Sequence, residues 1–130
     1  MTLPAFNPIA ALLLTSLIAA AVLACVRDYR WSARLNIVAS LAVLLVALRL
    51  LVDRPAADDF FIADDLNVVF IVLNAFVGFT TSLFSASYIG HELDTGRLTP
   101  EYLRFYHATF QTMMFGMDLA LTANNIGLMW

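Results

Sequence analysis

RFYHATFQTMMFGMDLALTANN, residues 104–125, is the stretch on which the reading of this chain turns, because it is an apolar helix pattern carrying polar groups along one line. At 100° per residue, Arg104, His107, Gln111, Asp118, Thr122 and Asn125 fall within about 60° of one another. Phe105, Phe110, Met113, Met117, Leu121 and Leu128 lie off that line. A helix so patterned is expected to turn its polar line toward other helices and its apolar surface toward lipid.

Composition points the same way. Hydrophobic residues make up 62% of the 130 positions, charged residues 13%, and the mean hydropathy is +0.83, far from a soluble domain. Four apolar segments, at about 9–26, 35–52, 66–89 and 102–126, use nearly all of the sequence, which predicts an all-α integral membrane bundle of four transmembrane helices forming a single membrane domain over 1–130. Seven Lys and Arg residues, all arginine, offer no basic surface for nucleic acid, which is not an expected partner. The single cysteine, Cys25, cannot form an internal disulfide or a cysteine-rich metal site.

Before the first span lie Pro4 and Pro8, which delay a regular helix until about Ile9. A cleaved signal peptide is the competing reading, and Val22-Leu23-Ala24-Cys25 resembles a lipoprotein cleavage site. No Lys or Arg precedes the apolar run, however, and Arg27-Asp28-Tyr29-Arg30 follows it, so a retained span is expected. Arg49, near the end of the second span, is placed to snorkel to the interface. The loop 53–65, with Arg54, Pro55 and the aspartates 53, 58, 59, 64 and 65, reads as a solvated connection. In the third span Asn67, Asn74, Gly78, Thr81, Ser82 and Ser85 share a face, and Gly78, Ser82 and Ala86 form a small-xxx-small series suited to close helix contact. Thr99-Pro100-Glu101 supplies an N-cap and a first-turn proline for the fourth span. Arg27, Arg30 and Arg34 in one loop and Arg97 and Arg104 in another, against Arg54 alone between them, put the first and third loops in the cytoplasm and the amino terminus outside.

Asp118 is the one acidic residue within a span rather than in a loop or at a span edge. A carboxylate near a bilayer centre costs about 2.5 to 3.5 kcal/mol on insertion scales, so it calls for a partner or a hydrated path. His107 lies on the same face about 16 Å along the axis, too far for a direct pair but within reach of a relay through Gln111. Histidine exchanges protons near neutral pH, so Asp118, His107, Gln111, Asn124 and Asn125 are candidates for a proton path. The alternative is structural: a polar stripe that hydrogen-bonds to facing helices, with His107 an interfacial residue and the aromatics Tyr102, Phe105, Tyr106, Phe110 and Phe115 as anchors and packing groups. Asn124 and Asn125 would line a polar cavity or satisfy neighbouring groups. There is no Gly-rich phosphate loop, nucleophile elbow, HExxH or metal-spaced His/Cys cluster, so no catalytic residue, metal site or cofactor is expected.

Ser85-Ala-Ser-Tyr-Ile-Gly90, Tyr102-Leu-Arg-Phe-Tyr-His-Ala-Thr-Phe110 and Leu121-Thr-Ala-Asn-Asn-Ile-Gly-Leu-Met-Trp130 together resemble the amino-terminal part of the antiporter-like membrane subunits. These occur in proton-pumping NADH-quinone oxidoreductase, in membrane-bound hydrogenases of the hydrogenase-4 and formate hydrogenlyase type, and in multisubunit cation/proton antiporters; the hydrogenase-4 component F branch is the nearest in character. The resemblance implies a bacterial inner-membrane subunit that moves protons or sodium ions. Its partners would be other membrane and redox subunits and, indirectly, a quinone or hydrogenase module. Family members have many more spans, with their central glutamate and lysines on later helices, the glutamate in the helix just beyond Trp130. Several carry Asp-Asn where this chain has Asn124-Asn125, so that acidic position is not inherited, and Asp118 stands as a substitute charge. The expected part is therefore the amino-terminal portion of such a fold, not catalytic alone. The apolar Met129-Trp130 ending suits a truncated or split member. A purely structural small membrane subunit is the second reading.

Overall fold

A computed structural model of the chain describes residues 7–103 and 105–129. Their structure is all-helical: α1 (Pro8–Cys25), α2 (Tyr29–Arg49), α3 (Asp65–Asp94), α4 (Pro100–Leu103), α5 (Tyr106–Thr122) and α6 (Ile126–Met129). By length and composition, α1, α2 and α3 can each cross a membrane. The chain is a membrane protein, and α5, with 17 residues, completes a bundle with these three. The two four-residue helices flank α5.

Local chemistry sets the helix starts. The Asn7 side chain accepts from the N–H groups of Ile9 and Ala10 at 3.0 and 3.3 Å, and Pro8 occupies the first position, where its missing N–H costs nothing. Asp28 caps α2 through Trp31 N–H at 3.0 Å, so this helix begins at Tyr29, ahead of the apolar run near Leu35. Asp64 caps α3 through Asn67 N–H at 2.7 Å. At the other end α3 runs on to Asp94, past the expected Ile89, and closes in a Schellman motif. There Arg97 N–H donates to Glu92 O at 3.0 Å and Gly96 N–H to Leu93 O at 3.1 Å, with Gly96 at φ +73°.

The fourth span departs from its sequence reading at both ends. It starts at Tyr106 rather than 102, because Phe105, at φ −102° and ψ 1°, leaves helical geometry between α4 and α5. It ends at Thr122, where Ala123 turns extended. Arg104, the first member of the polar line, and Trp130 lie outside the described residues.

α5 packs against α1, α3 and α2, and α2 lies between α1 and α3. The interior divides along its length. Toward one end the core is apolar: Ile9, Leu12 and Leu13 of α1, Val43, Ala47 and Leu50, and Val68, Ile71 and Ala75 of α3 pack together. Toward the other, Ser32, Asn36 and Ser40 of α2, Ser82 of α3, and His107 and Gln111 of α5 are buried, where small and polar residues let the helices approach. Gly78 is such a point of approach: a Cβ there would lie 2.5 Å from the Met114 methyl. The small-residue face of α3 thus faces protein at Gly78 and Ser82, while Thr81 on its margin is exposed.

Candidate functional site

Because α5 repeats polar groups every four or seven residues, the polar part of its buried edge consists of His107, Gln111, Asp118 and Thr122, each at most 1% exposed. Two neighbours receive this edge at different levels. Gln111 Nε2 donates to Asn36 Oδ1 at 2.8 Å and to Ser40 Oγ at 3.0 Å, both on α2. Asp118 turns to α3, where Asn74 Nδ2 donates to its Oδ1 at 2.8 Å. Between them Met114, 4% exposed, sits against Gly78. The edge is therefore two polar clusters separated by a thioether, and the His107, Gln111 and Asp118 side chains do not form one continuous hydrogen-bonded line.

His107, in the first turn of α5, is enclosed by protein. Its ring lies 5.3 Å from that of Tyr29 and 5.0 Å, edge-on, from that of Tyr106. Tyr29 in turn donates its hydroxyl to Ser85 O at 3.3 Å, joining α2 to α3. Among the described residues neither His107 nitrogen has a hydrogen-bond partner, and the same holds for Ser32 Oγ, Asn36 Nδ2 and Gln111 Oε1 in that half of the bundle.

Asp118 lies one turn before the end of α5, about 6 Å from it, rather than at the helix midpoint. Thr122 donates its hydroxyl to the main-chain carbonyl of Asp118 at 2.8 Å, not to its carboxylate. Its Oδ1 is anchored by Asn74, whereas Oδ2 is buried with no partner among the described residues. A carboxyl group held by one oxygen and open at the other can gain and lose a proton without losing its position.

Asn124 and Asn125 reach the loop 53–65 rather than Asp118. Asn124 Nδ2 donates to Asp58 O and its N–H to Phe60 O at 2.8 Å, while Asn125 Nδ2 donates to Asp59 O at 3.2 Å. Ile62 N–H donates to Thr122 O at 2.9 Å, and Phe61 pairs with Ala123 in an isolated antiparallel bridge. The aspartate loop, its five aspartates exposed as a solvated connection requires, is thus also strapped over the end of α5. Arg54 pairs with Asp65 within it.

Sequence reasoning missed Asn36 and Ser40, although Ser32, Asn36 and Ser40 recur every fourth residue in an apolar helix, the signal that marked α5. Among the described residues no group of three His, Cys, Asp or Glu side chains gathers as metal ligands.

Over 121 residues, 93% of its length, the chain is 47% identical to a hydrogenase-4 component F homolog from Methylacidiphilum infernorum (isolate V4). It spans about a quarter, 25%, of that protein. No protein-family model matches the chain, and no solved structure does.

Proposed function

Starting from the chain's kinship with hydrogenase-4 component F, which the resemblance at residues 85–90, 102–110 and 121–130 had implied, we propose that it is a membrane subunit, or part of one, in a hydrogenase or respiratory complex. It contributes its helices beside a path for protons or sodium ions, and partner subunits perform the redox chemistry. Asp118 is the functional charge.

The observation that carries this reading is the asymmetric carboxylate: Asp118 fully buried, Oδ1 anchored by Asn74, Oδ2 open. A charge retained in such surroundings is costly, and its use in ion handling accounts for it. The His107 cluster, about 16 Å away, lies beyond Met114, so protons reaching Asp118 exchange with groups outside α5's own polar edge. In this topology the arginine-rich ends of α1 and α2 face the cytoplasm, the amino terminus faces outward, and the four long helices cross the bilayer.

The test is Asp118→Asn in the intact complex, in sealed inverted vesicles. Asparagine keeps an acceptor for Asn74, so assembly is expected to survive while ion translocation per turnover falls. Translocation and assembly both unchanged would remove the role of Asp118. The structural reading draws on the Gln111, Asn36 and Ser40 contacts, which tie α5 to α2 without any titratable group. It predicts that outcome, with full activity.

A further inference from the structure

Between α2 and α3, at the end of the bundle carrying Arg27, Arg30 and Arg34, runs a groove of about 530 Å³. Its rim carries Arg30, Arg34, His91 and Asp94, and its floor includes Ala33, Ile37, Leu83, Ala86 and Gly90. From Arg30 to Ile37 the helix rises about 10 Å, so one wall passes from charge to hydrocarbon within half a leaflet. Small side chains make its depth: an ideal Cβ on Gly90 meets nothing within 4 Å.

The rim is short of negative charge. Asp94 accepts from Arg30 at 3.4 Å, but the two side chains are 68% and 78% exposed, too solvated to hold Arg30 from another anion. Arg34 has no carboxylate partner among the described residues and lies over the exposed Trp31 ring at 5.4 Å from its centroid. Tryptophan and arginine together mark headgroup depth. Two guanidiniums against one carboxylate, above an apolar cleft between two helices able to cross a membrane, match the chemistry of an acidic lipid.

We propose that this groove seats an anionic phospholipid. Its phosphate lies against Arg34 and Arg30, and one acyl chain runs down the cleft over Ala33, Gly90 and Ile37. The site rests on the reading of α2 and α3 as membrane spans whose arginine end lies at the bilayer surface. Charge favours lipid over a partner helix here, since Arg30 and Arg34 stand beside the apolar floor.

The experiment uses the full chain, purified with its native complex in mild detergent and stripped of lipid. It is titrated with phosphatidylglycerol, phosphatidylcholine or inorganic phosphate, with bound lipid read by native mass spectrometry. Phosphatidylglycerol is expected to be retained over phosphatidylcholine, and millimolar phosphate to leave that retention unchanged. Arg34→Gln should weaken phosphatidylglycerol binding about fivefold. Gly90→Leu, whose Cβ has open space at the floor, should abolish it. Equal retention of both lipids, displacement by phosphate, or unchanged binding in both variants would overturn the proposal. Loss of a protein subunit from the Gly90→Leu complex with lipid binding intact would do so as well, by assigning the groove to a partner helix. Resistance of every variant to carbonate extraction reports separately on the membrane reading.

Discussion

Gln111→Leu removes the link between α5 and α2 at nearly constant volume, and its cost follows from the contacts. Gln111 Nε2 makes two interhelical hydrogen bonds, to Asn36 Oδ1 and Ser40 Oγ. Such bonds within membrane bundles average about 0.6 kcal/mol and reach about 1.7. Ser40 can turn its hydroxyl to a carbonyl one turn earlier on α2, so losing its partner adds little. Asn36 has no such escape: it is fully buried, and its Nδ2 already lacks a partner among the described residues. A stranded amide adds about 1 to 3 kcal/mol, giving about 2 to 4 kcal/mol for Gln111→Leu in total. Asn36→Ala in the same chain removes the stranded group, so the double variant should be less destabilised than the sum of the singles by about 1 to 2 kcal/mol. Reversible unfolding in mixed micelles, or steric trapping of the chain in bicelles, measures all four corners of the cycle. Additivity within about 0.5 kcal/mol would refute the assignment of Gln111 to Asn36, because independent sites add to within that margin.

Other perturbations probe different parts. Asn124→Ala combined with Asn125→Ala releases the aspartate loop from α5, and hydrogen exchange should accelerate at Ile62 and Asn124 while α1 to α3 keep their protection. Gly78→Leu drives a side chain into Met114 and should destabilise the bundle by about 1 to 3 kcal/mol, with partial rescue by Met114→Ala in the same unfolding assay. Gly96→Val places a branched side chain at φ +73° and should cost more than about 1 kcal/mol, whereas Gly96→Asn should cost less, a difference that protease susceptibility of residues 95–99 reports.

The helices were legible because apolar runs of near-membrane length dominate the sequence, and the buried edge of α5 because His107, Gln111 and Asp118 repeat at helical spacing. That edge is buried as a period of 3.6 residues requires. Its partners were harder to read. Asn74 belonged to a polar face of α3, but pairing it with Asp118 needs the relative height of two helices joined through a loop and α4, which periodicity does not encode. The break at Phe105 involves neither proline nor glycine, so nothing in the residue types announces it. The contacts of Asn124 and Asn125 span 66 residues and end on backbone carbonyls, which carry no sequence signature.

That strap bears on how the chain is built. The carbonyls of Asp58, Asp59 and Phe60 and the N–H of Ile62 receive their partners from residues 122–125, the stretch translated after every long helix of the bundle. The loop is therefore made before its partners, and its polar groups bond to water until the Thr122 end of α5 folds against residues 58–62. An α5 packed in the opposite direction would carry residues 122–125 to the far end of the bundle and leave these groups without those partners. The closed loop thus registers the direction in which α5 has packed.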